Sequence, residues 1–385
     1  MRFPEFTDEW VEITIQNLAT VLGGGTPDTT NKSYWDGNIQ WFTPSEIGKN
    51  KYVNTSLRTI TEDGLNNSSA KLLPPHTILL SSRATVGECS LTLQECATNQ
   101  GFQSLIAKNC DTDFLYYLIQ TKKKELIKKS CGSTFLEISA NEVRKIKVAI
   151  PTKEEQLKIS LLLSLLDERI ATQNKIIDNL QSLIKGLAKT HYDSCDVLQQ
   201  VKIIELGEPY SVMNLSKEQL SDNGQPCILY GELFTQYGPV IESIYSKTNV
   251  ESNLSLSNGR DLLFPSSTTV DALSLIAPSA LTKPNIILGG DMFGIKVANE
   301  YSPEYLSYYF NYIGNHELAK YAIGSTIIHL HYKDIAEHTI AVPTLRNQLS
   351  FVKLASTMKS KIENEKYVLH NLKTLKAYLL QAMFI

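Results

Sequence analysis

Ala149-Ile150-Pro151-Thr152-Lys153-Glu154-Glu155-Gln156 returns 192 residues later as Ala341-Val342-Pro343-Thr344-Leu345-Arg346-Asn347-Gln348. The same offset carries Gly132-Ser133-Thr134 onto Gly324-Ser325-Thr326 without a gap. Phe114-Leu115-Tyr116-Tyr117 resembles Tyr305-Leu306-Ser307-Tyr308 at an offset of 191, and further back the match fades. The 385 residues are therefore two copies of one unit, alike at the rear of each copy and divergent at the front. A period of 192 is that of a domain plus an arm, far above the 20–50 residues of a solenoid.

Each copy runs from its proline into a long helical segment. Residues 153–190 contain no proline and only one glycine, Gly186. A four-three apolar spacing places Leu163, Ile170, Ile177 and Ile184 at a positions, with Ile159, Leu166, Gln173, Leu180 and Leu187 at d. Adding 192 gives Ala355, Ile362, Leu369, Lys376 and Met383 at a, with Phe351, Met358, Glu365, Leu372 and Leu379 at d. Gln173 and Glu365 put a polar residue in the same layer of both seams, a device that fixes register or orientation. A helix of about 40 residues is about 60 Å long and must pack on something. The expectation is that the two pack antiparallel on each other as a coiled coil, with the globular units at opposite ends in pseudo-twofold arrangement. The competing reading is an ordinary amphipathic helix lying on its own domain.

The globular parts read as α+β. Apolar, β-branched runs at 77–80, 145–150, 262–264 and 339–342 predict strands, and 113–129 and 303–321 predict helices. Residues 23–70 and 210–260 are rich in Gly, Asn, Ser and Thr and predict irregular, turn-rich fronts. The expected division is a globular domain at 1–152, a helix at 153–192, a second globular domain at 193–344 and a helix at 345–385.

The composition, 42% hydrophobic and 20% charged, excludes disorder as the main state. No apolar run reaches a membrane span and the opening residues lack a basic flank, so a soluble cytoplasmic protein is expected. Cys89, Cys96, Cys110, Cys131, Cys195 and Cys227 form no Cys-x-x-Cys pair, which favours reduced thiols over a metal or disulfide framework. The net charge of −3 hides an uneven distribution. Residues 1–152 are neutral, 153–192 carry +1, 193–344 hold 8 basic against 17 acidic residues for −9, and 345–385 carry +5.

Catalytic motifs are missing. There is no phosphate-binding Gly-x4-Gly-Lys-Ser/Thr, no Gly-x-Ser-x-Gly elbow and no His-Glu-x-x-His. Pro74-Pro75-His76 lacks the polar and aromatic neighbours with which amino-methylating enzymes hold a flipped base. Pro27-Asp28 has no nuclease partner residues in reach. Gly23-Gly24-Gly25 fits a tight turn better than a cofactor loop. His329 and His331, with His338, could share a strand face, but Glu137 and Ser139 stand at the aligned positions of the first copy, and a polar strand or loop edge is favoured over a metal site.

The combination of Arg2-Phe3-Pro4-Glu5-Phe6 with Trp10, Gly24-Gly25-Thr26-Pro27, Tyr34-Trp35-Asp36-Gly37-Asn38-Ile39-Gln40-Trp41, Ser81-Ser82-Arg83-Ala84-Thr85-Val86-Gly87 and Thr98-Asn99-Gln100-Gly101-Phe102 resembles the DNA-specificity subunits of Type I restriction-modification systems. The resemblance spans the chain, including the two Gly-Ser-Thr segments that each precede a proline and a long helix. It implies two target recognition domains, each reading half of a bipartite site in double-stranded DNA. It also implies two conserved helices that act as a ruler and dock two methyltransferase subunits, with restriction/translocase subunits beyond them. The chain itself would then be non-catalytic and hold no cofactor, S-adenosylmethionine and ATP belonging to the partners.

Reading base edges requires polar and aromatic side chains on irregular loops. The candidates in the first copy are Lys32, Tyr34, Trp35, Thr43, Ser45, Lys49, Lys51, Ser82, Arg83, Asn99 and Gln100, with Arg83 foremost as a lone arginine in a serine-rich loop. Where the first copy has Ser82-Arg83-Ala84-Thr85-Val86, the second has Ser266-Ser267-Thr268-Thr269-Val270, and it lacks the Tyr-Trp-Asp-Gly and Asn-Gln-Gly-Phe segments. Its acidity is at odds with phosphate contact, which points to basic surface on the methyltransferases and to weak DNA binding by the isolated chain. Three rivals stand beside this reading: a coiled-coil scaffold, a stand-alone DNA-binding protein, and an autonomous DNA enzyme.

Overall fold

The computed structural model describes residues 1–132, 136–213 and 215–384. Ser133 and Thr134 of the repeated triplet lie outside the described residues. The chain divides into two compact units, Met1–Lys175 with Tyr367–Ile385, and Ile176–Lys366. Among the described residues no helix is long and apolar enough to cross a membrane.

Both units are α+β and have the same sheet order. In the first, a five-stranded sheet runs Ala19–Gly23, Gln103–Ala107, Ile78–Leu80, Cys89–Thr92, Tyr52–Val53. In the second the order is Gly207–Ser211, Met292–Val297, Asp261–Pro265, Ser279–Leu281, Val240–Ile241. The central strands Ile78–Leu80 and Asp261–Pro265 are buried at every residue, which is why they read as continuous apolar runs rather than alternating ones. A smaller sheet accompanies each: Arg58–Ile60, Trp35–Phe42 and Cys96–Thr98 in the first unit, and Ser246–Thr248, Leu220–Leu229, Pro284–Gly289 and Ser255–Asn258 in the second.

A two-stranded tie closes each globular body before the long helix. Val11–Thr14 pairs antiparallel with Lys147–Ile150, with Val11 opposite Ile150. Leu198–Lys202 pairs in the same way with Thr339–Pro343, with Gln199 opposite Val342. Ile150 and Val342 are repeat-related positions, so the likeness at the rear of the two copies is a shared anchor.

Each stretch expected as a single helix is two. Thr112–Thr121 and Lys123–Lys128 part at Lys122, and Pro303–Tyr312 and Asn315–Ala319 part at Ile313-Gly314. The second break has a packing cause, since a Cβ on Gly314 would meet the Tyr309 ring at 2.8 Å. Asp111 and Ser302 cap the first helix of each pair, accepting from the Phe114 N–H at 2.8 Å and the Tyr305 N–H at 3.2 Å.

The long helices are Lys153–Asp193, 41 residues, and Leu345–Met383, 39 residues. Every a and d position named from the heptads is buried or half-buried, whereas most positions between them are exposed. In the first unit Ile159 and Leu163 share a core with Leu379 and Met383, and Lys376 Nζ lies 2.6 Å from Asp167. Numbers rise along one helix as they fall along the other, so the packing is antiparallel. The second unit repeats this, with the His191 ring 5.3 Å from Phe351 and Ile184 lining one cleft with Ile362. Gln173 is buried, Glu365 is half-buried, and neither is without a partner.

A glutamine one turn into each helix ties helix to globular body. Gln156 Oε1 accepts from the Asp111 N–H at 3.0 Å while its Nε2 donates to the Pro151 carbonyl at 2.9 Å. Gln348 does the same 192 residues on, accepting from the Ser302 N–H at 2.9 Å and donating to the Pro343 carbonyl at 2.8 Å. Truncating either to alanine leaves a backbone N–H and a carbonyl unpaired beside the core. Gln156→Ala and Gln348→Ala should each lower unfolding stability by about 1–3 kcal/mol in urea titrations. Gly186 has open space where its Cβ would stand, so Gly186→Ala should stabilise by about 0.5–1 kcal/mol in the same titration.

Candidate functional site

Three loops of the first unit meet at one end of its sheets. Trp35–Phe42 and Cys96–Thr98 run parallel with Phe42 opposite Thr98, so both chains leave the sheet side by side, at Thr43-Pro44-Ser45 and Asn99-Gln100-Gly101. The Asn99 N–H donates to the Phe42 carbonyl at 3.1 Å, and Asn99 Oδ1 accepts from the Gly101 N–H at 2.8 Å. Ile78–Leu80 delivers the third loop, whose Ser82 N–H donates to the Gly101 carbonyl at 2.8 Å. Gly24 and Gly25 seat against the same strand end. A Cβ on Gly24 would lie 2.1 Å from the Asn99 carbonyl, and the Gly25 carbonyl accepts from Trp41 Nε1 at 3.0 Å. Gly24 and Gly25 thus serve close backbone approach, and the expected tight turn is not formed: Gly23 ends the strand Ala19–Gly23 and the chain runs on without turning.

This cluster gathers Thr43, Ser45, Ser82, Arg83, Asn99 and Gln100. Ser45 and Gln100 are exposed, Thr43 and Asn99 half-exposed. Gln100 Oε1 accepts from the Thr26 hydroxyl, and the Thr43 and Ser45 hydroxyls are 3.1 Å apart. Ser82 is fully buried, so its backbone rather than its hydroxyl faces the loops. Arg83 Nε lies 2.8 Å from Glu137 Oε1, with side chains 42% and 38% exposed, and is held by that pair at the protein surface.

The other candidates stand elsewhere. Lys32 is exposed and Tyr34 half-buried on a single turn before the long strand. Trp35 is buried, perpendicular to Trp41 at 5.1 Å, and donates from Nε1 to the Asp28 carbonyl at 3.1 Å. Lys51 is buried too. Its ammonium pairs with Asp113, donates to Ser164 Oγ at 2.6 Å and lies 5.0 Å from the ring centres of both Tyr52 and Tyr117. Lys49 is exposed at the rim of a cleft of about 390 Å³, which Lys51, Asp167 and Lys376 also line. Lys49 and Lys51 therefore face the helices.

The contact between globular body and helix has opposite charge in the two units. Asp167 in the first accepts from the Tyr117 hydroxyl at 2.7 Å and pairs with Lys376. Beside that carboxylate the buried Tyr117 phenol is driven far up in pKa, burial being the larger cause. The repeat-related residue in the second unit is Lys359, which donates to the Val240 carbonyl at 2.7 Å and lies 3.1 Å from Glu242.

Among the described residues no group of three or more His, Cys, Asp or Glu is placed to hold a metal ion. The His329 and His331 rings stack 6.1 Å apart, and the strand Ile328–His329 pairs with Ser267–Thr268. All six cysteines are free, and burial pushes the thiols of Cys89 to about 12 and of Cys96 and Cys227 to about 11.

Sequence reasoning passed over the loop before the edge strand Arg58–Ile60, where Leu57 is 86% exposed and the Arg58 guanidinium lies 3.5 Å above the Trp35 ring. Burial of the tryptophan by the arginine depends on strand pairing, and no local pattern signals it.

Residues 7–182 match the family model described as the Type I restriction modification DNA specificity domain. The chain is 35% identical over 189 residues to the Type I restriction enzyme MjaIX specificity subunit of Methanocaldococcus jannaschii, covering 48% of this chain and 44% of that one. It is 26% identical over 206 residues to the EcoR124I/EcoR124II specificity subunit of Escherichia coli, covering 51% and 50%. These matches span about half the length of the curated relatives. In fold, the chain is similar along its length to the Type-I restriction-modification S subunit from M. genitalium, with TM-score 0.55, 17% identity and coverage of 100% and 98%. It is likewise similar to a chain from a study of assembly and conformational transition of the type I R-M system, with TM-score 0.61, 15% identity and coverage of 98% of both.

The Asp167–Lys376 pair is four-fifths buried and should couple measurably. A double-mutant cycle of Asp167→Ala and Lys376→Ala, read by urea titration, should give about 1–2 kcal/mol of coupling.

Proposed function

We propose that this chain, a member of the Type I restriction-modification DNA specificity family through residues 7–182, is a non-catalytic subunit that reads a bipartite sequence in double-stranded DNA. Residues 1–152 read one half-site and 193–344 the other, while the helices 153–192 and 345–385 set the gap between them. The observation that carries this is the repetition of one scaffold with different loops. Sheet order, strand tie and glutamine clamp recur in both units, and the residues presented by the loops do not. One scaffold bearing two sets of exposed polar side chains suits a reader of two unlike sequences.

Two methyltransferase subunits dock on the helices, and restriction/translocase subunits join through them. In support, the first long helix exposes Leu157, Leu161 and Leu165 at successive i, i+4 positions, 49%, 60% and 55% accessible. Such a row on the face away from the seam favours a partner helix. S-adenosylmethionine and ATP belong to those partners, as do the cations that neutralise phosphate near the acidic second reader.

Mapping methylated adenines genome-wide in cells with and without the chain tests the proposal. A two-part motif should be present with it and lost without it; methylation that persists unchanged rules the proposal out. Inserting one heptad in 153–190 and one in the partner helix should lengthen the gap within the motif and leave both half-sites the same. Filter binding by the isolated chain should be weak and fall steeply with salt.

A further inference from the structure

Both units build the same loop tip and fill it differently. In the first, the turn after the long strand supplies Glu46, which accepts from the Thr43 N–H at 2.7 Å and the Leu57 N–H at 2.6 Å. In the second, Glu232 accepts from the Leu229 N–H at 2.8 Å and from the Ser246 hydroxyl. Each carboxylate fixes the approach to an edge strand that pairs antiparallel with the long strand, Arg58 opposite Trp41 and Ser246 opposite Cys227. On the other side of the long strand a parallel neighbour places Ala97 beside Trp41 and Ile287 beside Cys227. Leu57-Arg58 and Tyr245-Ser246 are therefore the same place in two copies of one scaffold. Both tips end in an exposed apolar residue, Leu57 at 86% and Tyr245 at 65%.

We propose, resting on the reading of the chain as a DNA-specificity subunit, that Arg58 reads a guanine in the major groove of the first half-site, with Leu57 beside it on the same groove wall. Of the five arginines in 1–152 and 193–344, four have a carboxylate or carbonyl partner within the protein. Arg2 pairs with Glu155, Arg83 with Glu137, Arg144 donates to the Val21 carbonyl, and Arg260 donates to the carbonyls of Val297, Ala298 and Tyr301. Arg58 has no carboxylate or carbonyl partner among the described residues, and it is exposed. The centre of its guanidinium lies 3.5 Å from the Trp35 ring centroid and 5.9 Å from that of Trp41, a contact that positions the group and leaves its N–H donors unspent. A guanidinium held in place over a ring, with its paired donors free, matches the O6 and N7 acceptors of guanine. The second unit argues for base rather than phosphate: both readers need phosphate contacts, yet the matching Ser246 is turned inward onto Glu232. A position that changes between two readers on one scaffold is a position that reads.

The test uses the chain co-expressed with the methyltransferase subunits of its own system, scoring adenine methylation across the genome for wild type, Arg58→Ala and Arg58→Lys. Both variants should lose the preference for guanine at one position of one half-site, by about ten- to hundred-fold, while the other half-site and the gap stay as they were. Arg58→Lys retains the charge, so its melting temperature, read beside that of Arg58→Ala, separates loss of reading from loss of fold. An unchanged motif in Arg58→Ala overturns the proposal, and so does a uniform loss across all sites rescued by Arg58→Lys, the mark of a phosphate contact. If wild-type methylation itself proves independent of the chain, the specificity-subunit reading falls, and this assignment with it.

Discussion

A long helix leaving a small globular body needs a joint that does not turn, and a buried glutamine supplies it in both units. Gln156 and Gln348 each bridge the carbonyl of the proline that opens the helix and the N–H of the residue that caps the next helix of the globular body. Two hydrogen bonds from one planar amide fix direction as well as distance, and the apolar surroundings make each expensive to leave unmade. Serine or asparagine could not span both partners. If the gap between two half-sites is set by helix length, angular play at these joints would blur it, so the most strictly repeated local geometry is where the joints are.

Around those fixed joints the units are free to differ, and they differ in charge. The helix contributes Asp167 at the contact in one unit and Lys359 in the other, each with its own set of opposing groups. A partly buried charge facing the wrong sign is more costly than no charge at all. The inverted pair therefore keys each globular body to its own stretch of helix, although the backbone scaffold would accept either.

What the sequence made legible was whatever shows as a one-dimensional pattern, a period or an unbroken apolar run. The 192-residue repeat, the heptad seam from Ile159 to Leu187 and its weaker copy from Phe351 to Leu379 follow from spacing, and the strands at 78–80 and 262–264 from unbroken apolar runs. Side-chain availability does not. Lys51 sits among loop residues in sequence yet is enclosed by Asp113, Ser164 and two tyrosine rings brought from over 60 residues away. Arg83 is the expected surface arginine, but a strand bridge sets Glu137 against it. Arg58 was invisible for the converse reason: in sequence Arg58-Thr59-Ile60 is an ordinary strand, and only the register against Trp41 lays it over Trp35. The break at Gly314 was missed because it answers to the Tyr309 ring packed against it.

The acidity of the second unit finds a structural use without being neutralised by it. Glu205 accepts from the Lys202 N–H, Glu232 from Leu229, Asp261 from Asn258 and Gly259, Asp271 from Ser274 and Asp334 from His331. Backbone donors of this kind favour the ionised carboxylate, as the lowered pKa of Asp271 illustrates. The 17 acidic against 8 basic residues at 193–344 make this unit a source of negative field at neutral pH. That field decays over about 8 Å at physiological salt, so it opposes a phosphate backbone at contact range and hardly beyond. If the unit reads DNA as proposed, its discrimination has to come from short-range contacts to bases, and most of its affinity from cations outside 193–344.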